Sequence, residues 1–115
     1  MQPNDIDRSY LWDIANASKE ILEFIEGISY NKFCETKMIR YAVERQLLVI
    51  GEAANHLSED FRKTTENVPW DKIIGMRNII AHEYGEILEE RIWATAKDHI
   101  EPLLDSVKEF IDLKN

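Results

Sequence analysis

The chain has 115 residues and a mass of 13.5 kDa, which leaves room for one globular domain over residues 1–115. Its 14 basic and 22 acidic side chains give a formal net charge of −8, which argues against broad, non-specific binding of nucleic acid but not against a local phosphate site. Without a long apolar run, a signal-peptide pattern or a second cysteine beside Cys34, the chain is expected to be cytoplasmic, with no membrane span and no disulfide.

The N-terminal segment predicts one long helix followed by a connection. Asn4 or Asp5 can cap this helix, because both side chains accept hydrogen bonds from free backbone N–H groups. Apolar residues then recur every three or four positions, and Gly27 lies near the C-terminal end. Residues 28–35 are expected to form a connection, and not a strand, with an apolar plug made of Tyr30 and Phe33.

A second long helix is predicted from a cap at Thr36 to about Leu57. Its apolar positions cover more than one stripe, which predicts a helix packed on two sides. Gly51 lies within this helix, where a glycine costs about 1 kcal/mol relative to alanine. We therefore expect Gly51 to allow a neighbouring helix to approach closely.

The middle of the chain is divided by residues that begin helices. Ser58 can cap a short polar helix over residues 59–66. Pro69 offers a first-turn proline for a further helix that ends near Tyr84, with Gly85 after it.

The last helix is predicted from about Leu88 towards Leu113. Pro102 interrupts this segment and should kink or split it near Ile100, because proline cannot donate the helical hydrogen bond. No segment has the alternating pattern of a strand. The chain is therefore expected to be all-α, an up-and-down bundle of four or five helices.

Most of the remaining polar side chains form no pattern with known chemistry. The three histidines are too scattered for a local metal motif, and His56 and His99 lie on polar stretches where surface positions are expected. Cys34 has no Cys-x-x-Cys partner and is expected to be a small buried side chain. No metal site and no cofactor are predicted.

Residues 75–85 differ from the rest because they place four functional groups at one helix end: Arg77, Asn78, His82 and Tyr84. At about 100° per residue, Arg77 and Tyr84 project from nearly the same face, and Asn78 can stack beside His82 and orient its ring. Arg77 and His82 are separated by about 140°, which is awkward for one pocket. A fraying helix end, or contributions from two copies of the helix, would bring them together.

These residue types have the groups that metal-free cleavage of RNA requires. His82 can take a proton from a 2′-hydroxyl group while the Arg77 guanidinium stabilises the charge that develops on the attacked phosphate, which yields a cyclic phosphate end. The structural alternative is that both side chains pair with Glu52, Glu83 or a backbone carbonyl where two helices meet. Spacing alone favours this alternative, since an arginine and a histidine on one helix are common.

Two longer stretches resemble a known family. Residues 68–84, VPWDKIIGMRNIIAHEY, resemble the signature of the HepT-like proteins, a HEPN-domain family, and contain its Arg-x4-His-x-Tyr motif without a departure. Residues 42–54, AVERQLLVIGEAA, resemble the second helix of the same family, and Trp93 with the apolar positions after it matches the C-terminal helix. The resemblance covers nearly the whole chain and implies a HEPN-like helical bundle.

Proteins of that family are metal-independent ribonucleases that act as homodimers and as the toxins of two-gene toxin–antitoxin pairs. The resemblance therefore implies that Arg77 and His82 are catalytic and that Asn78 supports them. The implied partner is a minimal nucleotidyltransferase antitoxin that attaches AMP to Tyr84. In a homodimer two motif helices meet in one cleft, which would resolve the angular separation of Arg77 from His82.

Two other functions stay open beside that of an RNA-cleaving toxin. One is a non-catalytic partner or substrate-recognition subunit of a nucleotidyltransferase, in which the motif binds nucleotide or is modified. The other is a plain helical dimerisation module. Growth arrest that is lost when His82 is mutated separates the toxin from both alternatives, and binding of labelled ATP in the presence of the partner separates the alternatives from each other.

Overall fold

The computed structural model describes residues 3–111, which form seven helices and no strand. The all-α prediction is confirmed. There are more helices than the expected four or five, because the N-terminal connection contains a helix and the C-terminal segment is divided in two. The helices are α1 (Asp5–Ile25), α2 (Tyr30–Glu35), α3 (Lys37–His56), α4 (Glu59–Thr64), α5 (Trp70–His82), α6 (Gly85–Asp98) and α7 (Ile100–Ile111).

The two long N-terminal helices form the centre of the bundle, and α1 packs on α3 and α7 while α3 packs on α1 and α5. Asn4 is the N-cap of α1, and its side-chain oxygen accepts a hydrogen bond of 2.6 Å from the Asp7 backbone N–H. Gly27 follows the helix end with φ +75°, as predicted. Thr36 occupies the N-cap position of α3 but makes no side-chain capping bond. The buried apolar side chains between these helices include Leu11, Ile14, Ile21, Val43, Leu47, Ile50 and Val107.

The short helix α2 replaces most of the connection expected over residues 28–35. The Ser29 hydroxyl accepts a hydrogen bond of 3.1 Å from the Lys32 backbone N–H and thereby caps the helix. Phe33 is fully buried, with its ring centroid 5.1 Å from that of Trp93 on α6. The prediction of an apolar plug is confirmed for Phe33, and the connection contains no strand, but the sequence did not predict the short helix that forms most of it. A cap and a distant aromatic partner stabilise six residues that a local pattern is too short to define.

A buried carboxylate joins the start of α1 to the junction between α3 and α4. The Asp7 side chain, 2% exposed, accepts hydrogen bonds from the Ser58 backbone N–H at 2.8 Å and the Ser58 hydroxyl at 2.7 Å. The same Ser58 hydroxyl oxygen accepts a hydrogen bond of 3.2 Å from the Phe61 N–H, so Ser58 caps α4 as predicted. Residues 51 positions apart in the chain are thus connected at one end of the bundle.

The C-terminal segment is split where Pro102 predicted it. His99 lies between α6 and α7, and Ile100 is the first residue of α7. The segment begins at Gly85, three residues before the expected Leu88, and its expected end at Leu113 lies outside the described residues. Within residues 3–111, no helix combines the length and the apolar character that crossing a bilayer requires.

Candidate active site

Arg77 lies on α5 where this helix packs closely against Gly51 of α3. A Cβ atom built on Gly51 would lie 3.0 Å from the Arg77 Cγ and 3.3 Å from the Ile73 carbonyl oxygen. The missing side chain therefore lets the aliphatic stem of Arg77 lie directly against α3. The close approach predicted for Gly51 is confirmed, and the residue that occupies it is the motif arginine.

Glu52 holds the guanidinium of Arg77 at this position. Its Oε1 lies 3.4 Å from the Arg77 Nε, and its Oε2 lies 3.3 Å from Nε2 of His56 one turn further along α3. No hydrogen bond to the two terminal nitrogens of Arg77 is formed by any residue between 3 and 111. The pair is about half exposed and contributes at most about 1 kcal/mol to stability, so its main effect is to orient the guanidinium.

Tyr10 on α1 extends this set of contacts. Its ring stacks on that of His56, with centroids 5.1 Å apart and an interplanar angle of 15°. His56 is exposed, as expected, but it contacts both Tyr10 and Glu52. Side chains of three helices thus form a continuous row from Tyr10 through His56 and Glu52 to Arg77. Sequence reasoning missed Tyr10 and His56, because no local signal shows which face of α1 meets the end of α3.

The structure does not bring His82 to Arg77 within one chain. Asn78 and His82 are both exposed, and neither has a hydrogen-bond or ion-pair partner in the described part of the chain. The structural alternative expected both side chains to pair with Glu52, Glu83 or a backbone carbonyl. The contact of Arg77 with Glu52 is present, but His82 has no such partner among residues 3–111. Five residues of helix place the two side chains about 7.5 Å apart along the axis and about 140° around it.

Tyr84 lies in the short link between α5 and α6. Helix α5 ends at His82, and both Glu83 (ψ 156°) and Tyr84 (φ −138°) have extended backbones. The expectation that Tyr84 continues the helix and shares a face with Arg77 is therefore wrong. The link ends the helical register before Tyr84, which is 80% exposed and has no hydrogen-bond partner among residues 3–111. Its ring and hydroxyl are accessible from solvent.

A second polar cluster holds α2 against α3 and α6. Arg40 donates a hydrogen bond of 3.1 Å to the Cys34 carbonyl oxygen and lies 3.5 Å from the Glu89 carboxylate. Cys34 is partly exposed, not buried as expected, and desolvation nevertheless raises the pKa of its thiol. A hydrogen bond with Cys34 raises the pKa of Tyr30 to about 12. This cluster has a structural role.

His99, expected at the surface, is exposed between α6 and α7. In the portion of the chain that the structure describes, no three His, Cys, Asp or Glu side chains converge as metal ligands.

The structure is thus a small all-helical domain with an arginine, a histidine and a tyrosine near one helix end, as the resemblance of residues 68–84 to the HepT-like proteins implies. The family model Ribonuclease HepT-like matches residues 4–110. The chain therefore belongs to the HepT-like ribonuclease family.

Individual relatives agree with this assignment. A Methanocaldococcus jannaschii protein named "Putative RNase" is 38% identical over 94% of this chain and 98% of its own length. A Caldanaerobacter subterraneus protein of the same name is 36% identical over 90% of this chain and 93% of its own length. The "Probable ribonuclease HepT" of Thermococcus cleftensis is 34% identical over 84% of this chain and 87% of its own length. No solved structure matches the chain significantly. These findings support ribonuclease activity.

Proposed function

We propose that this protein is a metal-independent endoribonuclease toxin that cleaves RNA with Arg77 and His82. The observation that carries the proposal is the geometry of Arg77. Gly51 and Glu52 hold its stem and its Nε, while its terminal nitrogens have no hydrogen-bond partner in residues 3–111 and can contact a phosphate. Guanidinium groups bind phosphate oxygens through two parallel hydrogen bonds, which suits the charge that develops during cleavage.

The proposed reaction is an internal transfer at phosphorus. His82 removes the proton of a ribose 2′-hydroxyl, the 2′-oxygen forms a bond to phosphorus, and the bond to the 5′-oxygen of the next nucleotide breaks. Arg77 stabilises the additional negative charge on the phosphate oxygens, and Asn78, which follows Arg77 on α5, is the supporting polar residue. The proton returns to the leaving 5′-oxygen, so the products are a 2′,3′-cyclic phosphate and a free 5′-hydroxyl.

The active unit in this proposal is a homodimer. The separation of Arg77 from His82 on α5 supports a site in which one copy supplies the arginine and the other supplies the histidine. An open apolar groove of about 680 Å³ between α5 and the last two helices supports contact with a second copy, because such a surface is unfavourable in water. Apolar side chains of α5 lie along this groove: Ile73, Met76 and Ile79.

Control of the toxin is proposed to act through Tyr84. A minimal nucleotidyltransferase antitoxin would transfer AMP from ATP to the Tyr84 hydroxyl, releasing pyrophosphate. The exposure of Tyr84 supports this step, since the hydroxyl needs no unfolding to reach a partner. The added phosphate would compete with RNA for the guanidinium groups of the dimer cleft.

Cleavage of total RNA by the purified protein in EDTA tests the proposal. We expect cyclic phosphate products from the wild type, and rates lower by about 100- to 10,000-fold for Arg77→Ala and His82→Ala. Lys63→Ala, which removes an exposed basic side chain of α4 outside the motif and outside both pockets, serves as the control and should cleave normally. Full activity of either motif variant, or loss of wild-type activity in EDTA, would contradict the mechanism.

Co-expression with the nucleotidyltransferase tests the control step. Mass spectrometry should find AMP on the peptide that contains Tyr84, and Tyr84→Phe should remain active and resist silencing. AMP on Tyr84 of a protein that never cleaves RNA would favour the non-catalytic alternative. Neutralised toxicity without added AMP would mean that the partner acts by binding alone.

A further inference from the structure

A pocket of about 360 Å³ lies between α1, α3 and α5, and Arg77 forms part of its wall. It is distinct from the apolar groove on the other side of α5. Its lining combines a small apolar floor with aromatic and charged side chains from α1 and α3. The floor consists of Leu48, Val49 and Ala53.

The charges of this pocket differ from those of the whole chain. Arg45 and Arg77 balance Asp13 and Glu52, so the formal charge of the lining is zero with His56 neutral, whereas the chain carries −8. Arg45 is exposed and has no ion-pair or hydrogen-bond partner within residues 3–111. It is therefore available to an anion from solution, in a pocket whose own formal charge adds nothing to the chain's overall repulsion of a polyanion.

The groups that line the pocket follow one another along the axis of α3. Arg45 and Glu52 are seven residues apart, which places them about two turns, or 10 Å, apart on one face of the helix. Leu48 and Val49 of the floor lie between them, and the stacked rings of Tyr10 and His56 lie beyond Glu52. The pocket thus offers a cation, an apolar surface, an aromatic stack and the guanidinium of Arg77 in close succession.

We infer that this pocket binds one nucleotide of single-stranded RNA beside the phosphate that Arg77 contacts. Its base adds to the stack formed by Tyr10 and His56, and its phosphate contacts Arg45. Stacking on aromatic rings together with cations along the backbone is how proteins hold single-stranded nucleic acid. A duplex cannot place a base in a pocket between three helices. The inference rests on the proposed function, because it assigns a binding subsite to the same substrate.

Binding of a substrate that cannot be cleaved tests this subsite separately from catalysis. The probe is a fluorescein-labelled 2′-O-methyl hexanucleotide, which lacks the attacking hydroxyl, and fluorescence anisotropy is measured between about 50 and 200 mM salt. Arg45→Gln should weaken binding and lower the slope of log K against log salt by about 0.7, the value for one phosphate contact on a single strand. Arg62→Gln on α4 is the matched control and should bind as the wild type does.

The stacking contribution is tested at His56, whose exposure makes its replacement compatible with folding. His56→Ala should weaken binding by about fivefold or more, and His56→Phe should retain the affinity because it keeps a ring. Equal binding by the wild type, Arg45→Gln and His56→Ala would overturn the subsite, as would absence of binding by the wild type. A further outcome is that the variants lose binding although the wild type cleaves no unmodified RNA. This result would overturn the proposed function, while the pocket would still be an RNA-binding pocket.

Discussion

At Glu52 a single carboxylate contacts cationic or potentially cationic groups on two helices, Arg77 on α5 and His56 on α3. Because the carboxylate is about half exposed, water and salt weaken both contacts, and neither is a large source of stability. The main effect of the contact with Arg77 is to restrict the direction in which its guanidinium points. An arginine side chain has four flexible torsions, and contact at Nε together with the surface of Gly51 restricts where its terminal nitrogens can be.

Removal of the Glu52 carboxylate should therefore impair cleavage much more than folding. Misplacement of a catalytic group by about 1 Å can cost about 100-fold, and we expect a loss of that order in kcat for Glu52→Ala. Glu52→Gln retains an acceptor for the Arg77 Nε–H and should recover part of this loss. Steady-state kinetics and urea unfolding check the prediction, with Glu20→Ala on α1 as the exposed-charge control. An unchanged kcat in Glu52→Ala would show that Arg77 needs no positioning by this residue.

Asp7 is a second carboxylate whose effect should be almost entirely structural. Asp7→Ala leaves the partly buried Ser58 N–H and hydroxyl without their acceptor, and the expected loss is about 2–4 kcal/mol of unfolding free energy. Asp5→Ala, in the same first turn but exposed, should cost less than about 1 kcal/mol. Urea titrations monitored by circular dichroism compare the two variants, and similar losses would contradict the assignment.

At the scale of the helix pair, the contact of α3 with α5 depends on the absence of one Cβ. A helical Gly→Ala change gains about 1 kcal/mol from intrinsic propensity. At Gly75 a Cβ would meet nothing within 4 Å, so Gly75→Ala should keep this gain. At Gly51 the new methyl group would press on Arg77 and on the backbone of Ile73, and overpacking of this kind costs about 1–3 kcal/mol.

The two glycines thus provide an internal comparison. Gly75→Ala should raise the free energy of unfolding by about 1 kcal/mol, whereas Gly51→Ala should leave it unchanged or lower it by up to about 2 kcal/mol. Gly51→Ala should also reduce RNA cleavage, because Arg77 is displaced. Thermal unfolding and cleavage assays on both variants test this difference. Equal gains in stability would mean that α5 can move away from α3 without cost.

The elements that could be predicted from the sequence are those whose boundaries are set by the chemistry of single residues. Ser58 and Gly27 mark helix boundaries through their own backbone chemistry, and Pro102 divides the last segment for the same reason. The helix α2 was not predictable, because its stability depends on the contact of Phe33 with α6. The same limit applies to the site: a motif marks Arg77 and His82, but the stacking of Tyr10 on His56 and the place of Arg45 in a pocket depend on how distant helices pack.

For the whole molecule, the proposed function requires that Arg77 and His82, two residues on different sides of α5, act on one phosphate. The proposed homodimer would meet this requirement, and if two copies assemble through the apolar groove, light scattering at micromolar concentration should give twice the 13.5 kDa of one chain. Ala94→Asp places a charge at an exposed position of this groove and should lower the mass towards that of one chain. Ile6→Asp, at an exposed apolar position on α1, should not. A wild-type mass of one chain would exclude the dimer.

Mixed dimers provide the sharpest test of a composite site. Arg77→Ala and His82→Ala are each expected to be inactive, but a dimer of one chain of each kind contains one site with both residues intact, because each chain supplies what the other lacks. Random reassociation makes half of the dimers mixed, and each mixed dimer has one intact site of two, so about a quarter of the wild-type rate should return. The two variants are co-expressed with different tags and assayed before and after purification on both tags, with Arg77→Ala alone as the control. If each chain contained a complete site, the mixed dimer would have no intact site and no activity would return.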